Sequence, residues 1–134
     1  MAAEFPAEGM ALTEILVVSE IERSRDWYRD VLGAEIYREY GESVVLSFLG
    51  TWLLLVREGG PTEDKPGVSM SPPDDPSRVS RAHTIRVPDC HAAFETLRER
   101  GAEFLTPPLD RGTEIRCFFR DPDGNLFEIS EARG

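Results

Sequence analysis

The sequence has little of what most covalent catalysis and cross-linked scaffolds are built from. Its 134 residues include two cysteines, Cys90 and Cys117, and two histidines, His83 and His91. Neither cysteine stands in a C-x-x-C pair or another metal-ligand spacing, so both read as free thiols and a disulfide framework is excluded. Two histidines without sequence-local partners do not make a Ser-His-Asp or Cys-His arrangement. Basic residues are also few: 15 Lys+Arg against 25 Asp+Glu give a formal charge of -10. Such a chain repels a phosphate backbone, whose affinity for proteins comes mainly from cationic contacts, so nucleic acid is not an expected partner. No stretch approaches the roughly 20 apolar residues that span a bilayer, and residues 1–10 lack a basic start followed by an apolar run. The expectation is a protein with no membrane partner and a cytoplasmic location. Gly59-Gly60-Pro61 lacks the Lys-Ser/Thr and the helix of a phosphate loop, which sets nucleotide hydrolysis aside.

What is present is a repeat. Val18-Ser19-Glu20-Ile21 leads into Trp27-Tyr28-Arg29-Asp30-Val31-Leu32 and then Gly33-Ala34-Glu35-Ile36; Val87-Pro88-Asp89-Cys90 leads into Phe94-Glu95-Thr96-Leu97-Arg98 and then Gly101-Ala102-Glu103-Phe104. Each copy reads as strand, acidic turn, amphipathic helix, and Gly-Ala-Glu opening a second strand. In the first, Leu12 to Val18 suits a strand buried on both faces. Ser19 with Glu22 predicts a capping box. Ser24, Trp27, Tyr28, Val31 and Leu32 form the inward stripe, and Gly33 ends the helix. In the second, Asp89 is the expected N-cap, Ala93, Phe94 and Leu97 the stripe, and Gly101 the stop. His91 falls on the first turn and reads as exposed.

Strand-rich sequence follows each helix: 35–40, 43–49 and 51–57, then 103–106, 114–120 and 126–130. Asp121-Pro122-Asp123-Gly124 suits a type I turn. The reading is one α+β domain over 1–134 made of two tandem βαβββ modules, module 1 at about 11–57 and module 2 at about 81–131, forming a curved mixed sheet with an open cleft. The Pro- and Gly-rich stretch 58–80 reads as a linker, an exposed tether that is also long enough to cross between the modules or to cover a site.

The stretch 17–33, together with Phe119-Arg120-Asp121-Pro122-Asp123-Gly124-Asn125-Leu126-Phe127-Glu128-Ile129, resembles the vicinal oxygen chelate superfamily of glyoxalases, bleomycin-resistance proteins and extradiol dioxygenases. That resemblance implies a cleft between curved sheets, often completed in a homodimer. In the family's enzymes a divalent metal there holds two oxygens of the substrate. A cation bound by imidazole and carboxylate, with positions left open, stabilises an enolate-like or peroxide-like anion. Glu128 matches the family's terminal carboxylate ligand and is the candidate catalytic residue. His83 and Glu14 lie near its first-strand ligand positions and complete a candidate metal set of His83, Glu128 and Glu14.

Strand registration bears on that set. The positions matching the family's first-strand ligands are Thr13 and Ala82, and Glu14 and His83 come one residue later. In a regular strand a one-residue offset reverses the face. If His83 faces the cleft, Arg86 meets the helix layer; in the other register Arg86 enters the cleft and Ile85 and Val87 pack inside. The customary ligand position on 51–57 is apolar here, with Leu53, Leu54 and Leu55. Phe48, Trp52, Arg116 and Phe118 are candidate substrate-binding residues, and Arg116 or Arg120 can offer a fork to a ligand carboxylate. Two functions are open: a metal-dependent lyase or dioxygenase, or a non-catalytic, metal-free protein that sequesters a small molecule.

Overall fold

The computed structural model describes residues 3–133 and shows the two modules in sequence. Module 1 consists of β1 (Thr13–Val18), α1 (Ile21–Asp30), β2 (Glu35–Glu39), β3 (Ser43–Phe48) and β4 (Thr51–Arg57). Module 2 consists of β5 (Ala82–Arg86), α2 (Cys90–Glu99), β6 (Glu103–Phe104), β7 (Leu109–Asp110), β8 (Glu114–Arg120) and β9 (Leu126–Ala132). The sheet orders are β1-β4-β3-β2 and β5-β9-β8-β6, with β7 also on β8. In each module the first strand runs parallel to the last, the remaining pairs being antiparallel. Each sheet is therefore mixed, and each helix is carried on one face of its module.

Module 2 departs from the expected strand pattern in one place. Pairing on β6 stops at Phe104, and the two-residue β7 takes over the edge beside Ile115 and Arg116. Pro107 and Pro108 lie between them and have no N–H to donate to a ladder, which breaks the edge into two pieces.

Both helices present the stripes read from the sequence. Ser24 and Tyr28 are fully buried, Val31 and Leu32 continue the apolar side, and Phe94 and Leu97 do the same on α2. Gly33 (φ 78°) and Gly101 (φ 107°) take the left-handed backbone just past the helices. Asp89 caps α2, its carboxylate accepting from the Ala92 N–H at 3.0 Å.

The start of α1 differs from the expected capping box. Its N-cap is Glu20, which makes no side-chain cap bond. Ser19 turns instead to module 2: its N–H and hydroxyl both donate to Asp123 Oδ1, at 3.1 and 2.6 Å. Ser24 Oγ lies 3.3 Å from the other oxygen of the same carboxylate. A carboxylate supplied by the β8–β9 turn thus occupies the helix start, where the macrodipole favours negative charge. Its neighbour Asp121 is buried and accepts from the Tyr28 hydroxyl (2.6 Å), the Asn125 side-chain amide and the N–H groups of Asp123 and Asn125. Burial first, and then the Asp121 charge, push the Tyr28 phenol well above its usual range, so it remains a proton donor.

The helix sides of both sheets enclose one core. Phe119 lies between the modules, with ring centroids 5.5 Å from Phe127, 5.0 Å from Phe104 and 6.2 Å from Trp27 of α1. Leu16, Leu46, Leu55, Tyr28, Phe119 and Ile129 are all at 1 % exposure or less. Burial of each contributes about 1.5–3 kcal/mol. The linker is not a free tether along its whole length: Gly59 pairs with Met70, and the Pro76 carbonyl accepts from Arg120 beside the β8–β9 turn.

Candidate functional site

Alternation along the strands gives each sheet a helix face and an open face. On β9, Phe127 and Ile129 join the core, which sends Glu128 and Ser130 to the open face. The same rule on β8 puts Cys117 and Phe119 inside and Arg116 and Phe118 outside, directly opposite Ser130 and Glu128. On β5, Ile85 packs against the core, and Thr84 and Arg86 pair with Glu128 and Ser130. Arg86 therefore enters the open face, the second of the two registers considered from the sequence.

These side chains interlock. The Thr84 hydroxyl donates to Glu128 Oε1 at 2.7 Å, and the Arg116 guanidinium stands 3.8 Å from Glu128 Oε2. Arg86 donates to Ser130 Oγ at 2.7 Å and lies 3.3 Å from Glu114, which also accepts from Arg116 at 2.8 Å. The Arg116 hydrogen bond, helped by Arg86 and Ser130, holds the Glu114 carboxyl below the usual carboxylate range. The result is a patch of alternating acid and guanidinium groups beside the Phe118 ring, whose centroid is 5.9 Å from the Arg116 guanidinium carbon. Glu128 is 7 % exposed, so its carboxylate is held by neighbours rather than by water.

The other candidates lie elsewhere. Trp52 is on the open face of module 1, edge-to-face with Tyr37 at 4.8 Å. Phe48 is on the helix side and packs against the core. Glu14 and His83 also project to the helix side, on the first strands of the two modules. There the imidazole stacks on Phe127 (4.9 Å, 26° between planes) and its Nε2 is 3.5 Å from Glu14 Oε2. The structure brings His83 and Glu14 together and parts both from Glu128.

That separation is a correction to the candidate metal set of His83, Glu128 and Glu14, and parity explains it: no bulge is recorded along β1 or β5 to restore the face. The donors around Glu128 are a hydroxyl and a guanidinium, and a guanidinium repels a cation. Among the described residues no three His, Cys, Asp or Glu side chains form a group able to hold a metal. The residues present do not fit the family's metal. Thr84 and Ser130 are the members of the open face that sequence reading missed. Their signal was the same alternation that placed Arg86, since Thr84 is two residues before it and Ser130 two after Glu128. Among the described residues no helix is long and apolar enough to cross a membrane.

The chain is similar to known proteins in sequence and in fold. The chain is 31 % identical over 121 residues to biphenyl-2,3-diol 1,2-dioxygenase 3 of Rhodococcus globerulus, covering 86 % of this chain and 59 % of that protein. The chain thus spans less than two thirds of the length of that dioxygenase. It is 26 % identical over 132 residues to a lactoylglutathione lyase of Neisseria meningitidis, covering 91 % of this chain and 90 % of the lyase. A solved glyoxalase/bleomycin resistance protein/dioxygenase from Nocardioides superposes with a TM-score of 0.74 at 22 % identity, over 96 % of this chain and 87 % of that one. The family model of the Glyoxalase/Bleomycin resistance protein/Dioxygenase superfamily matches residues 10–129, and the chain belongs to that superfamily.

Proposed function

We propose that the open face of module 2 is the floor of a binding site for a small organic molecule with a carboxylate beside an aromatic or apolar part, and that it works as a sequestering site without a resident metal. The observation that carries this reading is the sharing of one face by Arg116, Phe118, Thr84 and Glu128. Arg116 offers a planar fork to a carboxylate, and Phe118 offers a ring beside it. Glu128, positioned by Thr84, accepts from a hydroxyl or amine on the ligand. The dioxygenase and lyase relatives supply the competing reading, a metal-dependent enzyme with Glu128 as ligand. On this face the residue opposite Glu128 on β5 is Thr84, and the nearest cation is Arg116.

The same proposal includes a homodimer. The open face of module 1 is apolar and exposed, Tyr37 being 61 % and Ile15 39 % accessible, and it suits a second copy as the roof over module 2. Cys90 and Cys117 are unbridged and buried, as expected of a chain kept in a reducing compartment, and we place it in the cytoplasm.

Calorimetry with a panel of aromatic carboxylates tests the site. The expected result is saturable binding that Arg116→Ala weakens at least tenfold, with manganese and zinc ions leaving the affinity unchanged. Tight binding of either ion that Glu128→Gln abolishes would overturn the metal-free reading.

A further inference from the structure

On the helix side lies a second site, which meets the open face of module 2 at Thr84 and Arg86. A cavity of about 290 Å³ opens between the modules, lined by the polar Glu14, His83 and Arg86 and by Phe48, Leu53 and Phe127. A neighbouring apolar groove of about 390 Å³ runs on along α2 past Ala93 and Leu97. Phe48, Leu49 and Ile85 line both compartments. The first compartment is polar at one end, and the second is apolar throughout apart from Asp89 and Thr96 at its rim.

Two polar groups of this region lack good partners in the fold. The Nδ1 of His83 is buried without a hydrogen-bond partner, the one side-chain nitrogen or oxygen so placed among the described residues. Leaving such a group unpaired away from water is costly. Glu14, 32 % exposed on its side chain, shares its carboxylate between His83 Nε2 and Arg81 Nη1, each at 3.5 Å, distances too long for strong hydrogen bonds. Leu49 has φ 49° and is 71 % exposed. With Gly50 it forms the two-residue turn of the β3–β4 hairpin, which requires positive φ at both positions, and its exposed side chain stands at the lip shared by the two compartments.

We infer that this groove binds an amphiphilic amine, its ammonium on the Glu14–His83 pair and its aliphatic tail along α2, with Leu49 folding over the tail. The ammonium supplies what both polar groups lack: a donor to the Glu14 carboxylate and, after a turn of the ring, a donor to the unpaired imidazole nitrogen. Charge complementarity favours the amine over an acid of the same length, since Glu14 is the acidic group lining the cavity and the cation beside it there, Arg86, is already engaged by Glu114 and Ser130. Arg81 is 64 % exposed, and Arg86 is held on the open face by Ser130 and Glu114, so neither arginine replaces Glu14 as the head-group partner. Burial of the tail is the main source of affinity.

The test is titration calorimetry of the full chain with octylamine, octanol and octanoate at physiological ionic strength. Octylamine is expected to bind with one-to-one stoichiometry and octanoate at least tenfold more weakly. Glu14→Gln should weaken octylamine at least tenfold. Ala93→Phe, which fills the groove, should abolish binding while circular dichroism confirms the fold. Glu128→Gln should leave octylamine binding unchanged, which separates this site from the one proposed on the open face. Absence of saturable octylamine binding, or binding indifferent to both Glu14→Gln and Ala93→Phe, would overturn the inference.

Discussion

The two modules share one backbone plan but have opposite open faces. Ile15 lies opposite Leu54 where module 2 has Thr84 opposite Glu128, and Val17 lies opposite Val56 where module 2 has Arg86 opposite Ser130. The third strand repeats the contrast, with Val45 beside Leu54 in one module and Phe118 beside Glu128 in the other. On the helix sides the modules agree, apolar almost throughout. Burial therefore dictates one face of each sheet and leaves the other free. Module 1 has used that freedom for an apolar wall and module 2 for a charged floor. A surface under no packing constraint is where function is written.

The agreement between the inner faces can be broken first. Phe119→Ala should cost about 3–5 kcal/mol, because the ring is fully buried and its cavity is walled by both modules. Urea unfolding followed by tryptophan fluorescence and by far-UV circular dichroism should give one coincident transition for the variant. Two separated transitions would show that the modules are energetically independent. Removing the other inter-module tie, Asp121→Ala leaves the Tyr28 hydroxyl buried without its acceptor, a loss on the order of 3 kcal/mol measured the same way.

The contrast between the open faces gives smaller effects. Thr84→Val removes the donor to Glu128 Oε1 without changing shape, and should destabilise by about 1 kcal/mol. The equivalent exchange in module 1, Ile15→Thr, creates a hydroxyl at a site already 39 % exposed and should shift stability by about 0.5 kcal/mol or less. Equal losses at the two positions would erase the distinction. The smallest effect is in the pH profile. The Glu114 carboxyl titrates below its unfolded value of about 4.3, so its contribution is present above that pH and is lost as pH falls through the folded value. Glu114→Gln should flatten the melting temperature between about pH 5 and pH 3, and module 1 has no counterpart to it.

Much of this fold is legible because its signals are local. The repeat, the inward stripes of both helices, the Asp89 cap and the glycines after each helix depend on residues within a few positions of one another. The cap of α1 was not legible, because its carboxylate comes from Asp123, 104 residues after Ser19. The candidate site was half legible. Parity along a strand is readable, and it placed Arg86 opposite to His83; which parity faces the core depends on Ile85 meeting the rest of that core, a tertiary fact. Once it is fixed, Glu128, Arg116 and Phe118 stay together and His83, Glu14 and Phe48 leave as a group. The pairing of Glu14 with His83 needs the docking of two modules, which no local pattern encodes.

The β8–β9 turn has a further consequence for how the protein is made. Residues 121–125 supply both the acceptor for Tyr28 and the carboxylate at the start of α1. As translation proceeds, the first helix leaves the ribosome roughly a hundred residues before its anchor does. The first helix is thus finished by a segment made about a hundred residues later, and emergence of residues 121–125, rather than of α1 itself, is the step at which its native order becomes available.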